Sequence, residues 1–186
     1  MAYQGIKRRV FISHYKGDKA EVEAFIDYFA NQQGVFTPYV LGANDNDDFI
    51  DSDNPDYVMS QIRAKYLKDT SVTIVLVGNC THSRRYVDWE IKGSLMQGES
   101  LPNGLIGIIL KSKGANAYLP PRFEGNWTTG HVNCYARYWT YPNSADTLGG
   151  WIEDAYLART TRSPLITNSQ EMMGYNAQCR VCKITH

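Results

Sequence analysis

The sequence lacks an excess of charge of either sign. Nineteen Lys and Arg stand against nineteen Asp and Glu, a formal net charge of zero, which removes the electrostatic footprint of a duplex-binding protein or a polybasic membrane binder. Neither nucleic acid nor a membrane is expected as a partner. Apolar runs are short: the longest, Val72 to Val77 with one Thr, falls well below a bilayer span. Cysteine is sparse, four in 186 residues, and no apolar signal stretch precedes the first strand pattern. That usage favours reducing cytoplasm over a disulfide scaffold. Two fingerprints are also missing. No Gly-x-Gly-x-x-Gly follows the first strand, which excludes a Rossmann redox signature, and no Gly-x-Ser-x-Gly elbow surrounds any serine.

What is present is ordinary globular composition, 43% hydrophobic and 20% charged, outside the window of intrinsic disorder. Arg9-Val-Phe-Ile-Ser13 reads as a strand running into the turn chemistry of Ser13 to Asp18. Asp18 is placed to cap a helix whose Val22, Phe25, Ile26, Phe29 and Ala30 share one face before Gly34. Val35 to Leu41 is a second candidate strand, which Pro38 demotes to an edge or to a short, irregular one. From Asp45 to Asp56 there are six aspartates and no basic residue, with Pro55 as a helix breaker, and a helix is then predicted over Tyr57 to Lys68. Ser71 to Gly78 and Gly104 to Leu110 read as strands buried on both faces, with a helix carrying Val87, Ile91 and Leu95 between them. Residues 111–131 read as a long loop, followed by a strand around Cys134 to Tyr138, a helix around Ala145 to Arg159 and a polar tail.

This alternation predicts an α/β doubly wound, mainly parallel sheet of about five strands with helices on both faces. Residues 1–160 form one domain, with a core at 7–110 and an elaborated part at 111–160, and residues 161–186 form a tail. Ligands of such sheets bind beyond the carboxyl ends of the strands, which here means the loops Ser13 to Asp18, Gly42 to Pro55 and Asn79 to Arg85.

Two segments at those strand ends carry a joint pattern: Val10-Phe-Ile-Ser-His-Tyr-Lys-Gly-Asp18 and Thr81-His-Ser-Arg-Arg-Tyr-Val-Asp-Trp-Glu-Ile91. Together they resemble the TIR-like family, specifically the ThsB-type proteins of the bacterial Thoeris antiphage defence system. Phe11, Ile12, Ser13 and Asp18 fit the first strand signature. Tyr86-Val-Asp-Trp-Glu90 fits the second, with Tyr86 where the family more often has Trp, and Gly149 to Ala155 is similar to the family's last helix.

The resemblance implies a flavodoxin-like, TIR-like fold and an enzyme that cleaves the nicotinamide–ribose bond of NAD, with Glu90 as catalytic residue. NAD is then substrate and no cofactor is expected. Departure of neutral nicotinamide leaves an oxocarbenium-like centre that needs a nearby carboxylate and no general acid. Ser13, His14, Tyr15, Asp18, His82 and Tyr86 are the substrate-site candidates. Ser13 reads as a loop-fixing hydroxyl, Tyr15 as pocket wall or core, and His14 and His82 each as either a substrate contact or a packed loop histidine. Lys16 and Lys19 either meet the pyrophosphate or face water. The implied product is a cyclic ADP-ribose-type or related ADP-ribosyl messenger that activates a separate effector protein. Self-association is a further expectation, because the acidic run stands where TIR domains carry a self-association loop.

Two other readings stay open from the residues: a non-catalytic TIR-like interaction module, and a nucleoside or nucleotide glycosidase of similar fold. The acidic run departs from calcium-loop spacing and reads as a solvated loop. Cys179-x-x-Cys182 with His186 offers three zinc ligands and wants a fourth, such as Cys134 or His131. The default is a metal-free tail docked by Leu165, Ile166, Met172 and Met173.

Overall fold

The computed structural model describes residues 3–41, 54–98, 100–113 and 117–186. The acidic run lies outside them over residues 45–53, so its expected role falls outside the described residues.

Five strands, β1 (Arg8–His14), β2 (Phe36–Val40), β3 (Val72–Val77), β4 (Gly104–Ile109) and β5 (Arg137–Trp139), form one sheet in the order β2-β1-β3-β4-β5. Every neighbouring pair is parallel. β3 and β4, with no exposed residue, take the interior, and β2, which carries Pro38, takes an edge. Among the described residues five helices accompany them: α1 (Lys19–Ile26), α2 (Pro55–Ile62), α3 (Arg85–Leu95), the short α4 (Pro121–Glu124) and α5 (Ala145–Thr161). Wide π-type turns prolong α1 to Gln32 and α2 to Leu67.

Strand alternation divides the core. Val10 and Ile12, with Ile74, Leu76 and Ile108, pack on Phe25 and Phe29 from the α1 side and on Leu148 and Ile152 of α5. On the other face Phe11 packs with Val58 and Ile62 of α2 and Trp89 of α3, while Val75 and Val77 meet Val87 and Ile91. α5 approaches β4 so closely that a Cβ on Gly104 would lie 2.0 Å from the backbone oxygen of Ala155. No helix among the described residues is long and apolar enough to cross a membrane.

Three local expectations are corrected. Asp18 makes no side-chain cap to α1; its carboxylate turns to the end of β3, where a Cβ on Gly78 would sit 2.1 Å from Oδ2, so a larger residue there would have to displace that carboxylate. Pro55 does not break a helix but opens one, in the first turn after Asn54, whose side chain accepts the N–H groups of Asp56 and Tyr57. The last strand begins at Arg137, later than predicted, because Cys134, Tyr135 and Ala136 are buried outside the ladder. There the Ala136 N–H donates to the Asn126 carbonyl, and the Tyr135 hydroxyl donates to the Asn103 carbonyl.

Candidate functional site

At the carboxyl end of β1, alternation puts Ser13 on the face covered by α2 and α3, and His14 on the opposite face. α3 descends from the loop after β3 and brings Glu90 under Ser13. The Ser13 hydroxyl donates to Glu90 Oε2 at 2.5 Å, with both residues buried. Burial pushes the Glu90 carboxyl up to about 8, against the lowering effect of the Ser13 hydrogen bond. In this closed arrangement Glu90 is therefore largely neutral at pH 7. One turn on, the Ser94 hydroxyl donates to the Glu90 carbonyl and pairs with the Thr73 hydroxyl, which fixes the helix against β3.

Tyr86 lies one turn before Glu90 and meets the Trp89 ring edge-on at 5.2 Å, partly buried against the Phe11 cluster. Tyr15 is half-buried beneath Arg84, whose guanidinium carbon stands 3.9 Å above the tyrosine ring. His14 is partly buried on the α1 side, with its imidazole lowered chiefly by burial, and is not brought to Glu90. His82 is 6% exposed and fastens the C-terminal segment: its Nε2 accepts the Arg180 N–H at 3.0 Å. Burial, and then the Arg180 charge, lower its pKa. Lys19 pairs with Glu23 on the surface.

Three residues of the site escaped the sequence reading. Arg84 is 6% exposed, and its Nε and Nη2 have no partner among the described residues. Asp18 Oδ2 is likewise buried and unpartnered; burial raises this carboxyl, and Lys113 and Arg84 offset part of the rise. A cation and a carboxylate at the strand ends thus retain unused hydrogen-bonding capacity. Asp88 and Arg122 form the second feature, a buried ion pair at 2.8 Å whose side chains are 2% and 0% exposed. Arg122 also donates to Asn168 and to the carbonyls of Gln170 and Glu171, while the Met173 N–H donates to Asp88. The Arg84-Arg85 pair ahead of the Tyr86 motif was a readable signal for the first. For Arg122 no local pattern existed.

The C-terminal segment therefore docks differently from the expected apolar tail. Leu165 is 40% exposed; Ile166 and Met172 pack as expected, but hydrogen bonds dominate. Trp89 Nε1 donates to the Met173 carbonyl, the Arg85 N–H to Asn176 Oδ1, and the Ala177 N–H to the Ser83 carbonyl. This segment crosses the start of α3 and the adjoining loop. A separate groove of about 420 Å³, lined by Arg63, Thr70, Ser94, Asn103 and Arg159 among others, opens where β3 and β4 begin, at the edge away from the strand ends.

The family model described as Thoeris protein ThsB, TIR-like domain, matches residues 11–114. That span runs from β1 past β4 and contains both Ser13 and Glu90. No curated protein matches the chain.

Proposed function

The chain belongs to the TIR-like family of Thoeris ThsB proteins, and from that premise we propose that it consumes NAD, cleaving the nicotinamide–ribose bond with Glu90 as the catalytic carboxylate. The observation that carries this reading is the contact between the two motif segments, Ser13 to Glu90 at 2.5 Å, at the carboxyl end of a parallel sheet.

Nicotinamide departs with the bonding electron pair as a neutral molecule, and positive charge spreads over the ribose carbon and ring oxygen. An ionised Glu90 lowers the energy of that charge and can accept hydrogen bonds from the ribose hydroxyls in place of Ser13. Capture by adenine nitrogen or a ribose hydroxyl, with loss of a proton, gives a cyclic ADP-ribose-type messenger for a separate effector; capture by water gives ADP-ribose. Tyr86 and Tyr15 supply aromatic walls. The unpartnered donors of Arg84 suit the pyrophosphate better than Lys19 does, since they are already desolvated while Lys19 pairs with Glu23 on the surface. On this reading Glu90 must lose its proton and be reached by the substrate before turnover.

The burial of Glu90, 4% exposed, also favours a second reading, in which the residue is structural and the domain a non-catalytic interaction module. Nucleotides extracted from phage-infected cells carrying the parent or Glu90→Gln separate the two. Release of nicotinamide and an ADP-ribosyl product with the parent, reduced about 100-fold or more in the variant, supports catalysis. Identical nucleotide pools in both strains, with defence intact in the variant, select the interaction module.

A further inference from the structure

Two sulfurs and an imidazole converge where the C-terminal segment meets the loop after β3. Cys80 Sγ lies 3.5 Å from Cys182 Sγ and 3.6 Å from His186 Nε2, and Cys182 Sγ lies 3.1 Å from that nitrogen. These three ligand atoms lie within 4.8 Å of one another; Cys179 stands beside them on the same turn, its sulfur accepting the Cys182 N–H at 3.5 Å. Tetrahedral zinc with ordinary Zn–S and Zn–N bonds separates its ligand atoms by about 3.6–3.8 Å, close to the two spacings from Cys80, while the Cys182–His186 pair would open by about half an ångström on binding.

The backbone is arranged for the same purpose. The N–H groups of Val181 and Cys182 point at Cys179 Sγ from 3.4 and 3.5 Å, the outer-shell donation that stabilises a coordinating thiolate. A tight turn follows: the Lys183 N–H donates to the Cys179 carbonyl and the Cys179 N–H to the Ile184 carbonyl. Lys183 itself takes a left-handed φ of 63°, unusual for a residue with a side chain. This turn returns His186 to Cys182. Cys134, the expected fourth ligand, is buried before β5 and outside the cluster, and its place is taken by Cys80.

We infer that Cys80, Cys182 and His186, joined by Cys179 from the same turn as fourth ligand, form a closed zinc site that clips the C-terminal segment to the loop leading into α3. The donor set is three thiolates and a neutral imidazole, which selects zinc over magnesium or calcium. Four protein ligands leave no open position, so the ion is structural and takes no part in catalysis. Binding releases the three thiol protons and involves no oxidation. The bound unit carries one net negative charge, next to Arg84, whose Nη1 donates to the His186 backbone oxygen. The clip stands independently of the NAD reading.

The test is elemental analysis of the full chain, purified without chelators and dialysed after exposure to excess zinc, together with cobalt substitution. The expected result is a single zinc per chain, and in the cobalt form a thiolate charge-transfer band with the intense visible bands of tetrahedral coordination. Cys182→Ser and His186→Ala should lose the metal to a chelator that the parent and Cys134→Ser withstand. Metal-free parent protein, a Cys80–Cys182 disulfide in its place, or full metal retention by both ligand variants would overturn the inference. If the variants fail to fold, the zinc content and cobalt spectrum of the parent decide.

Discussion

Glu90 holds its proton more tightly in the folded chain than an exposed glutamate does, because burial opposes ionisation more strongly than the Ser13 hydrogen bond favours it. The sign of the consequence follows. Between the ordinary value of 4.5 and the folded value of about 8, the native state binds a proton that the unfolded chain has released, so stability falls as pH rises. Below that window both states are protonated and above it both are ionised, so the contribution is flat outside it. The expected slope approaches 1.4 kcal/mol per pH unit, about the free energy of one pKa unit. The lowered histidines His14, His82 and His131 contribute with the opposite sign, so the difference in unfolding free energy between the parent and Glu90→Gln, which is neutral at every pH, should carry this slope when measured in urea across the window. Glu90 and Ser13 were legible in the sequence because each sits in a motif with fixed offset from a strand or helix start. Asp88 and Arg122 were not legible, since their importance comes from burial and from partners distant in the chain, which no local spacing encodes.

At the scale of elements, β3 and β4 were readable because their apolar character does not alternate, and only an interior strand of a parallel sheet demands that. β2 was readable through Pro38. The start of α2 was misjudged because proline stops a helix in its interior yet suits its first turn. β5 was misplaced because Cys134 to Ala136 carries the same apolar signature while being buried outside the ladder. The helices are tied together by polar contacts that hydrophobic periodicity cannot foresee, above all Asp88 of α3 with Arg122 of α4. Replacing Arg122 by Met leaves the carboxylate buried without its cation. That change should lower unfolding free energy by about 3–5 kcal/mol in urea titration, and combining it with Asp88→Leu should restore much of the loss.

For the whole molecule, the C-terminal segment acts as an integral part of the fold. Removing residues 167–186 strips Asp88 of the Met173 amide, Trp89 of its carbonyl acceptor, and Arg122 of its Asn168, Gln170 and Glu171 acceptors. Hydrogen bonds to charged groups contribute roughly 1.5–3 kcal/mol each, and a domain of this kind has only about 5–15 in total. The truncated chain should therefore lose its cooperative thermal transition by circular dichroism; an unchanged midpoint would refute the role assigned to the segment. The same long-range wiring has a temporal side. α3 meets partners that lie 84 residues later at Trp89 and 85 later at Asp88, and ribosomes add roughly 5–20 residues per second. A nascent chain thus holds the indole of Trp89 without its carbonyl acceptor, and Asp88 without the Met173 amide, for about 4–17 s after α3 is made, and the fold around Glu90 is completed only once Met173 has been added. During synthesis the protein carries its own delay, set by the order of its residues.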